Sequence, residues 1–425
     1  MILPANHPAR FELNDEVHAR PPEAMVSPCS ISFLALMAGD SEKERARLQL
    51  CELAKRFGVN PPRDGASHYS ADLGPFRLKW ERHSEYIRYK FIVDGDGSFS
   101  EPAIGKVPLD WLETLPGRTL VATNILYVQG EKEPGDADAI SERYFGGNTL
   151  IGAYVAGGNG RAYTDFRIRK DGFGRLLVQN LSMAPRQAGR TIQRLVEIDT
   201  YRMLALLALP TAQALAPALG ESERELVHVT SAMLNAGAAG EPGLLERLMK
   251  LEAAIESRDS ESHYRFSAAA AYYDLVQRRI AELREARIEG LQLFQEFMER
   301  RLAPAMNTCI ATAARLRALA ERIASVTQLL STKVDIALEQ QNQAVLASMD
   351  RRAKLQLRLQ QTVEGLSVAA VTYYIVGLIG YAAKALKSAG LSLNPELAMG
   401  LSIPAVAGLV AYSVHRVRDA VSEDH

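Results

Sequence analysis

Two charge-free apolar runs near the C-terminal end constrain the fold of this 425-residue chain more than any other feature. Residues 365–383 give nineteen positions without a charged side chain, and residues 397–414 give eighteen more. A helix rises about 1.5 Å per residue, so a helix of either length comes close to the roughly 30 Å hydrocarbon thickness of a bilayer. The pattern predicts a transmembrane hairpin with spans at about residues 365–384 and 397–415, which makes the lipid bilayer an expected partner.

Basic side chains are distributed unevenly around the two runs. Six flank the pair and two lie in the loop between the runs. The flanking six are Arg351, Arg352, Lys354, Arg358, Arg416 and Arg418, and the loop holds Lys384 and Lys387. Because basic residues are retained in the cytoplasm, this bias predicts a multi-pass protein of the bacterial inner membrane with both termini cytoplasmic. The first residues have Pro, Asn and charges where a signal peptide needs an apolar core, so we expect a body that is not exported.

Composition narrows the classes of partner. The chain carries 49 basic and 50 acidic residues and a net charge of −1, so no nucleic-acid partner is expected. Its three cysteines, Cys29, Cys51 and Cys309, are widely spaced and match neither a disulfide framework nor a zinc motif. A reducing compartment is the simplest interpretation.

Residues 1–188 carry strand and turn signals. The stretch 76–93 is rich in aromatic and β-branched residues and ends at the turn dipeptide Asp94-Gly95, which predicts one long strand. Other predicted strands are 120–128, 149–156, 161–168 and 175–178, and a helix is predicted at 42–57. The glycine-rich residues 157–160 predict a hairpin turn, because they lack the Gly-x-Gly-x-x-Gly spacing of a phosphate-binding loop. We expect a cytoplasmic, antiparallel-rich α/β domain, and an α+β fold for the chain.

From about residue 189 the strand signals stop and helix-forming residues dominate. Helix breaks are predicted at Pro210, at residues 217–220 and at residues 237–243. An apolar stripe that starts at Tyr272 and reaches Met298 predicts one long amphipathic helix. Together these signals predict a helical bundle that leads into a stalk, over residues 189–365.

A second apolar stripe predicts the stalk. Its members are Leu319, Ile323, Val326, Leu330, Val334, Leu338, Val345 and Met349. The steps follow an eleven-residue rhythm, which is typical of long straight or slightly right-handed helical packing. No Pro or Gly interrupts residues 315–364, so we expect one unbroken helix that enters the first span. The hairpin then occupies residues 366–418 and a tail follows at 419–425.

Three segments resemble a bacterial family of uncharacterised membrane-anchored proteins. They are Leu13-Asn-Asp-Glu-Val-His-Ala-Arg-Pro-Pro-Glu23, Leu78-Lys-Trp-Glu-Arg-His-Ser-Glu85, and Gln360-Gln-Thr-Val-Glu-Gly-Leu-Ser-Val-Ala-Ala370 followed by Tyr373-Tyr374. The resemblance covers the whole chain. It implies a membrane-anchored protein without an assigned activity and supplies no catalytic residue.

The order of parts is also similar to that of the CorA-type magnesium channels: a cytoplasmic α/β domain, antiparallel helices, a long stalk, two spans and a short basic tail. Pro395-Glu396-Leu397 resembles part of the Met-Pro-Glu-Leu that follows the signature of those channels. The Gly-Met-Asn signature itself, which forms their ion-selecting mouth, is missing where the first span ends at Tyr381-Ala382-Ala383-Lys384. This resemblance implies an oligomeric cation channel or sensor.

One candidate metal site lies on the predicted strand 76–93. Glu81, His83 and Glu85 alternate there, so they would project from one face and offer two carboxylates and an imidazole to a divalent cation. Glu16 or His18 would complete such a site. Alternatively, the three residues form a solvated strand face whose charges pair with neighbouring arginines. The segment 15–22 is likewise either a ligand or partner loop or a simple capping segment.

The predicted spans hold the other candidate residues. Gly377, Gly380 and Ala383 lie near one face of the first span, where small residues let helices pack closely. Thr372, Tyr373 and Tyr374 either line a pore or pack at a helix interface. Glu364, Thr372, Tyr373 and Glu396 are the candidate pore or entrance residues.

Two spans cannot enclose a pore, so conduction requires a homo-oligomer, in which Glu364 would form a ring of carboxylates able to attract cations. In the alternative interpretation Glu364 is an ordinary interfacial residue. The sequence therefore supports two hypotheses: an oligomeric cation channel or sensor, and a membrane-anchored scaffold whose body binds a protein partner. No catalytic motif occurs, and we expect no enzyme.

Overall fold

The computed structural model describes residues 4, 6–11, 13–14, 22–131, 133, 135–235, 240–389 and 394–422. The chain forms two units. We call the first the sheet unit, which consists of Met1–Asn235 and Glu246–Thr327. The second, the hairpin unit, consists of Ala236–Leu245 and Gln328–His425.

The sheet unit is built on one nine-stranded mixed sheet. Its strands are β1 (Cys29–Met37), β2 (His68–Asp72), β3 (Arg77–Arg82), β4 (Tyr86–Asp94), β5 (Arg118–Gln129), β6 (Ile151–Val155), β7 (Gly160–Thr164), β8 (Gly174–Asn180) and β9 (Ala286–Arg287). The spatial order is β2-β3-β4-β1-β5-β8-β7-β6-β9, and β5 with β8 is the parallel pair. The other neighbouring pairs are antiparallel, so the predicted antiparallel-rich fold is confirmed at this level.

Helices cover both faces of the sheet. This cover is needed because the side chains of β1 are apolar on both of its faces. Ile31 and Phe33 point into one apolar cluster, whereas Leu34 and Leu36 point into the other. A strand that is buried on both faces is apolar on both, which agrees with the continuous apolar run of residues 33–37 in β1. The second cluster also contains side chains of α1 (Asp40–Arg56) and of α2 (Leu109–Leu112).

The remaining helices follow in chain order. They are α3 (Ala137–Ile140), α4 (Pro185–Leu206), α5 (Leu209–Asn235), α6 (Glu241–Leu283), α7 (Phe294–Arg301), α8 (Ala303–Ser388) and α9 (Pro395–Ser422). Proline at the first position of α4 suits a helix start, because its missing N–H would have no partner there. The buried face of α4, which includes Ile192, Val196 and Leu204, belongs to the first apolar cluster.

Several predicted elements are confirmed. The helix at 42–57 is α1, the strand at 120–128 is β5, and residues 157–160 join β6 to β7 as a hairpin. The unbroken helix predicted over residues 315–364 is confirmed as part of α8, which runs for 86 residues. Of the break predicted at 237–243, residues 237–239 lie outside the described residues, and α6 already begins at Glu241.

Three predictions were wrong. Residues 76–93 form a hairpin of β3 and β4, because a single strand of that length would far exceed the usual three to ten residues. Pro217 lies inside α5, where the burial of Ala212 and Leu219 on either side offsets the lost backbone hydrogen bond. The long helix expected through Met298 ends at Leu283, before β9 forms and the chain turns at Gly290 with φ of 79°.

Candidate functional site

A cluster of charged side chains lies on the sheet face that α4 covers. It consists of Lys79, Glu81, Arg88, Lys90, Glu197 and Arg279, and we call it the charged cluster. The pleat of β3 and β4 sends alternate side chains to this face, and α4 supplies Glu197 from above. Five of the six are classed as buried, so their charges must be compensated inside the protein.

Glu81 is the most deeply buried carboxylate of the cluster, at 1% exposure. Its oxygens form ion pairs with Lys79 at 3.1 Å and with Arg88, and the Nε2 atom of His83 lies 3.6 Å away. Burial alone would raise the pKa of Glu81, but the neighbouring His83 imidazole and the charges of Arg88 and Lys79 outweigh it. The pKa is therefore held well below the ordinary value of 4.5, and Glu81 is ionised at neutral pH.

The cluster continues from the sheet to two helices. Arg88 Nη1 lies 3.4 Å from Glu197 Oε1, and Arg279 Nε lies 2.5 Å from Glu197 Oε2. Burial acts to raise the pKa of Glu197, but Arg88, the hydrogen bond from Gln193 and Arg279 lower it below its ordinary value. These contacts join β4 to α4 and α6 by alternating charges. The role of these ion pairs is structural, because cations of the protein already neutralise each carboxylate.

Lys90 differs from Glu81 and Glu197 because its pKa is shifted against its charged form. It is 7% exposed, and burial, followed by the charges of Arg88 and Lys79, lowers its pKa from 10.5 to about 8. Glu81 and Glu23 act in the opposite direction but do not restore the ordinary value. The folded protein therefore tolerates the charge of Lys90 poorly.

The predicted metal ligands occupy different surroundings. Glu81 lies in β3, whereas His83 and Glu85 lie in the turn before β4, so the three do not line one strand face. The His83 ring stacks on Tyr86 at 4.3 Å, and Glu85 pairs with Arg265 of α6. Within the described residues, no group of three His, Cys, Asp or Glu side chains is arranged to hold a metal ion. Glu16 and His18, with most of segment 15–22, lie outside the described residues.

In the hairpin unit, α8 and α9 run antiparallel, and two cavities that are open to the surface lie along them. The first, of about 500 Å³, is lined by Gln361, Glu364, Gly365, Val368, Ala411, Tyr412, Val414 and His415. The second, of about 640 Å³, is lined by Ala369, Thr372, Tyr373, Tyr374, Val376, Gly377, Leu378, Tyr381, Met399 and Ile403. Five predicted residues thus line these two cavities: Glu364 lines the first, and Thr372, Tyr373, Tyr374 and Gly377 line the second.

The first cavity combines an acid and a base. Glu364 accepts a hydrogen bond from Gln360 at 3.1 Å and shares the cavity with His415. A carboxylate and an imidazole in one cavity are suited to hold a cation or a proton. His415 was not among the predicted residues. Its position directly after the second apolar run is the signal in the sequence that could have identified it.

The second cavity is mostly apolar and aromatic. Thr372 contributes its Oγ1 atom, which is buried and has no hydrogen-bond partner among the described residues. A buried hydroxyl without a partner is uncommon and invites a water molecule or a ligand.

The small residues of the first span do not behave alike. A Cβ atom on Gly380 would overlap the Met399 side chain, so α8 and α9 approach closely there. Ala383 is buried at 6% exposure, whereas Gly377 has open space around it. Glu396 is exposed in the first turn of α9, where its N–H donates to Asn394 Oδ1 at 3.2 Å, at the end of the hairpin opposite Glu364.

Within the described residues, three helical segments are long and apolar enough to cross a membrane: Pro185–Asn235, Ala303–Ser388 and Pro395–Arg416. They differ in how much of their most apolar part is buried in the protein. The share is 28% for the first and 6% for the last. The first already has a protein partner, since α4 packs on the sheet.

Comparison with known proteins assigns the family. A family model described as "Protein of unknown function (DUF3422)" matches residues 5–421. The chain belongs to this family. Membership in DUF3422 confirms the predicted relation to an uncharacterised family. No curated protein and no solved structure matches the chain, so its resemblance to the CorA-type channels stays a prediction.

Proposed function

We propose that this DUF3422 protein is a membrane-anchored protein of the bacterial inner membrane. In this proposal the last part of α8 and α9 cross the bilayer as a hairpin, and the sheet unit lies in the cytoplasm. The observation that carries the proposal is the exposure of the hairpin, where only 6% of the most apolar window of α9 is buried. Large apolar side chains that no protein covers require lipid, because a patch of this size in water would aggregate.

Individual side chains of the hairpin support the same proposal. On α8, Leu378 and Tyr381 are 67% and 74% exposed, and on α9, Leu401 and Leu409 are 75% and 68% exposed. The helix pair α4–α5 is not included, because Ile192 and Leu204 on α4 are fully buried in the core of the sheet unit. The anchor therefore has two spans, and the basic residues that flank them favour a cytoplasmic position for both ends.

Alkaline extraction of membranes tests the anchor. We expect the protein to stay in the membrane pellet after carbonate treatment, since both spans lose their apolar environment on release. The double variant Leu378→Lys with Leu409→Lys should move to the supernatant, because each lysine costs about 2.5–3.5 kcal/mol at the centre of a span. Leu109→Lys, at a leucine of the sheet unit that is 68% exposed, is the matched control and should remain in the pellet.

A second candidate function is the passage or sensing of a cation, and the first cavity favours it. Glu364 and His415 face this cavity where α8 enters the predicted span, and the free Thr372 hydroxyl follows along the same helix. A path for ions needs polar groups inside an otherwise apolar hairpin, and these residues provide them.

Flux measurements in liposomes test this candidate. Uptake of Mg²⁺ by liposomes that contain the purified protein should fall at least about tenfold in Glu364→Ala, if the carboxylate attracts the ion. Glu339→Ala, which removes an exposed carboxylate of α8 outside the cavities, should leave uptake unchanged. Liposomes without any uptake would leave the anchor intact and favour the hypothesis of a scaffold whose sheet unit binds a protein partner.

A further inference from the structure

Arg161 in β7 carries a positive charge that the sheet unit buries completely. Its side chain is 0% exposed and is among the largest fully buried side chains of the described residues. A guanidinium group keeps its proton in proteins, so burial cannot remove the charge by deprotonation. The charge therefore has to be compensated by hydrogen bonds and by an opposite charge.

The protein compensates the charge of Arg161 only in part. The Nη2 atom donates to the carbonyl of Glu131, and the guanidinium lies over the ring of Tyr154, 5.9 Å from its centroid. The Nε and Nη1 atoms have no hydrogen-bond partner, and no carboxylate of the described residues forms an ion pair with this side chain. Arg88, by contrast, contacts two carboxylates of the charged cluster.

Two more buried polar atoms without partners lie around Arg161. Tyr163 follows two positions later on the same face of β7, and its hydroxyl has no hydrogen-bond partner. Burial raises the pKa of Tyr163 while the charge of Arg161 acts to lower it, so the two groups are close and the hydroxyl keeps its proton. Gln179 lies directly opposite Arg161 on β8, and its Oε1 atom is also without a partner.

We propose that a small inorganic anion of the size of chloride binds beside the guanidinium of Arg161. The unused N–H groups of Arg161 and the O–H of Tyr163 all donate to a negatively charged acceptor. A rotated Gln179 amide presents its NH₂ group to the same place. A water molecule accepts the same hydrogen bonds but leaves the buried positive charge uncompensated.

The surroundings of Arg161 limit the anion to a small one and still give it a short path from solvent. The side chain has no exposed surface, whereas its neighbours Tyr154, Gln179 and Gly130 are only partly buried. A Cβ atom on Gly130 would lie 3.3 Å from Arg161 Nη2, so the end of β5 closes tightly over the guanidinium. All these residues belong to the sheet unit, and the inference is independent of the proposed membrane anchor.

Thermal unfolding of the full-length protein in detergent tests the site. Sodium chloride is compared with sodium gluconate, whose anion is too large for the site, at equal ionic strength. Chloride should raise the melting temperature of the wild type, because a ligand that binds the folded state stabilises it, and should not raise that of Arg161→Met. Arg143→Met is the matched control and should keep the chloride response, since Arg143 also lies over a tyrosine ring, at 5.1 Å, but is exposed.

Two further measurements decide the case even if Arg161→Met does not fold. Tyr163→Phe keeps the guanidinium and removes one donor, so half-maximal stabilisation should need about tenfold more chloride. Crystals grown in sodium bromide should show an anomalous scattering peak within hydrogen-bond distance of Arg161. The anion is ruled out if chloride stabilises Arg161→Met as much as the wild type, if Tyr163→Phe needs no more chloride, or if no bromide peak lies beside Arg161.

Discussion

Glu81 places a negative charge inside the sheet unit, and its neighbours determine whether that charge is stable there. Lys79 and Arg88 surround the carboxylate, and Arg88 also contacts Glu197. Removing one member of a buried ion network usually costs more than the pair contributed, because the other charges stay buried without compensation.

We therefore expect Glu81→Gln to destabilise the protein by about 3–5 kcal/mol, since Arg88 and Lys79 would then lack their shared counter-charge. Glu246→Gln, which removes an exposed pair with Lys250, should destabilise the protein much less, because solvent screens an exposed pair. Chemical denaturation of the full-length protein in detergent, followed by circular dichroism, compares the two. Equal effects would show that the charged cluster adds nothing beyond a surface pair.

The pH dependence of the same protein has a defined sign. The pKa of Glu81 and that of Glu197 are lower in the folded protein than their ordinary value of 4.5. Their contribution to stability is therefore complete above pH 4.5 and is lost as the pH falls toward the folded pKa values. Thermal unfolding between pH 7 and pH 3 should show a steep loss of stability that is reduced in Glu81→Gln. A variant as steep as the wild type would contradict this assignment.

The contribution of Lys90 to stability should change with pH in the same direction as that of Glu81 and Glu197, but in the alkaline range. Its pKa falls from 10.5 to about 8 on folding, so the unfolded chain binds a proton more tightly than the folded one. Stability from this group rises as the pH increases from about 8 to 10.5. We expect Lys90→Met to stabilise the protein by about 1–3 kcal/mol at pH 7, and by less at pH 9.5. A destabilised Lys90→Met at pH 7 would show that this ammonium group is needed for an ion pair.

At the scale of the elements, α4 is held against the segment that precedes β1. The N–H of Met25 donates to the carbonyl of Pro185 at 3.0 Å, and Gly189 lies against the carbonyl of Glu23. A Cβ atom on Gly189 would overlap that oxygen, so only glycine permits this approach.

Gly189→Ala should therefore destabilise the sheet unit by at least about 2 kcal/mol, because the backbone of residue 23 must move away. Gly243→Ala is the control, since Gly243 is a helical glycine with open space around it. It should instead stabilise the protein by up to about 1 kcal/mol through helix propensity. The melting temperatures of Gly189→Ala and Gly243→Ala are compared with that of the wild type. Similar changes in melting temperature for the two variants would contradict the close contact at Gly189.

The elements also show what the sequence could predict. The helix α1 and the strand β5 were predictable because their apolar residues recur with a clear period. The two-strand nature of residues 76–93 was missed, since His83-Ser84-Glu85 is a turn without Gly or Pro. The continuation of α5 through Pro217 was missed as well, because burial of Leu219 is a tertiary effect that outweighs local propensity.

Some residues of the candidate site could be predicted from the sequence, and others could not. Glu364 and Thr372 were predictable from their positions beside and within an apolar run. The charged cluster was not, because Arg88 and Glu197 are separated by 109 positions in the chain. A pairing over such a distance depends on the fold, and a single sequence carries no signal for it.

At the scale of the whole molecule, one helix serves two roles. The first part of α8 contributes Met306 and Cys309 to the core of the sheet unit, and its last part pairs with α9 in the hairpin unit. A helix without Pro or Gly over residues 315–364 is suited to connect a folded body to a membrane. The proposed anchor depends on this helix.

Labelling of single cysteines in intact cells tests the central claim, that the hairpin crosses the bilayer. Cys51 is replaced by serine to leave only the buried Cys29 and Cys309. In this background, Ser388→Cys lies between the two spans and Ser348→Cys lies before the first. An impermeant maleimide should label Ser388→Cys in intact cells, and should label Ser348→Cys only after the inner membrane is permeabilised. If Ser388→Cys is also protected until permeabilisation, or if Ser348→Cys is labelled from outside, the proposed membrane hairpin is contradicted.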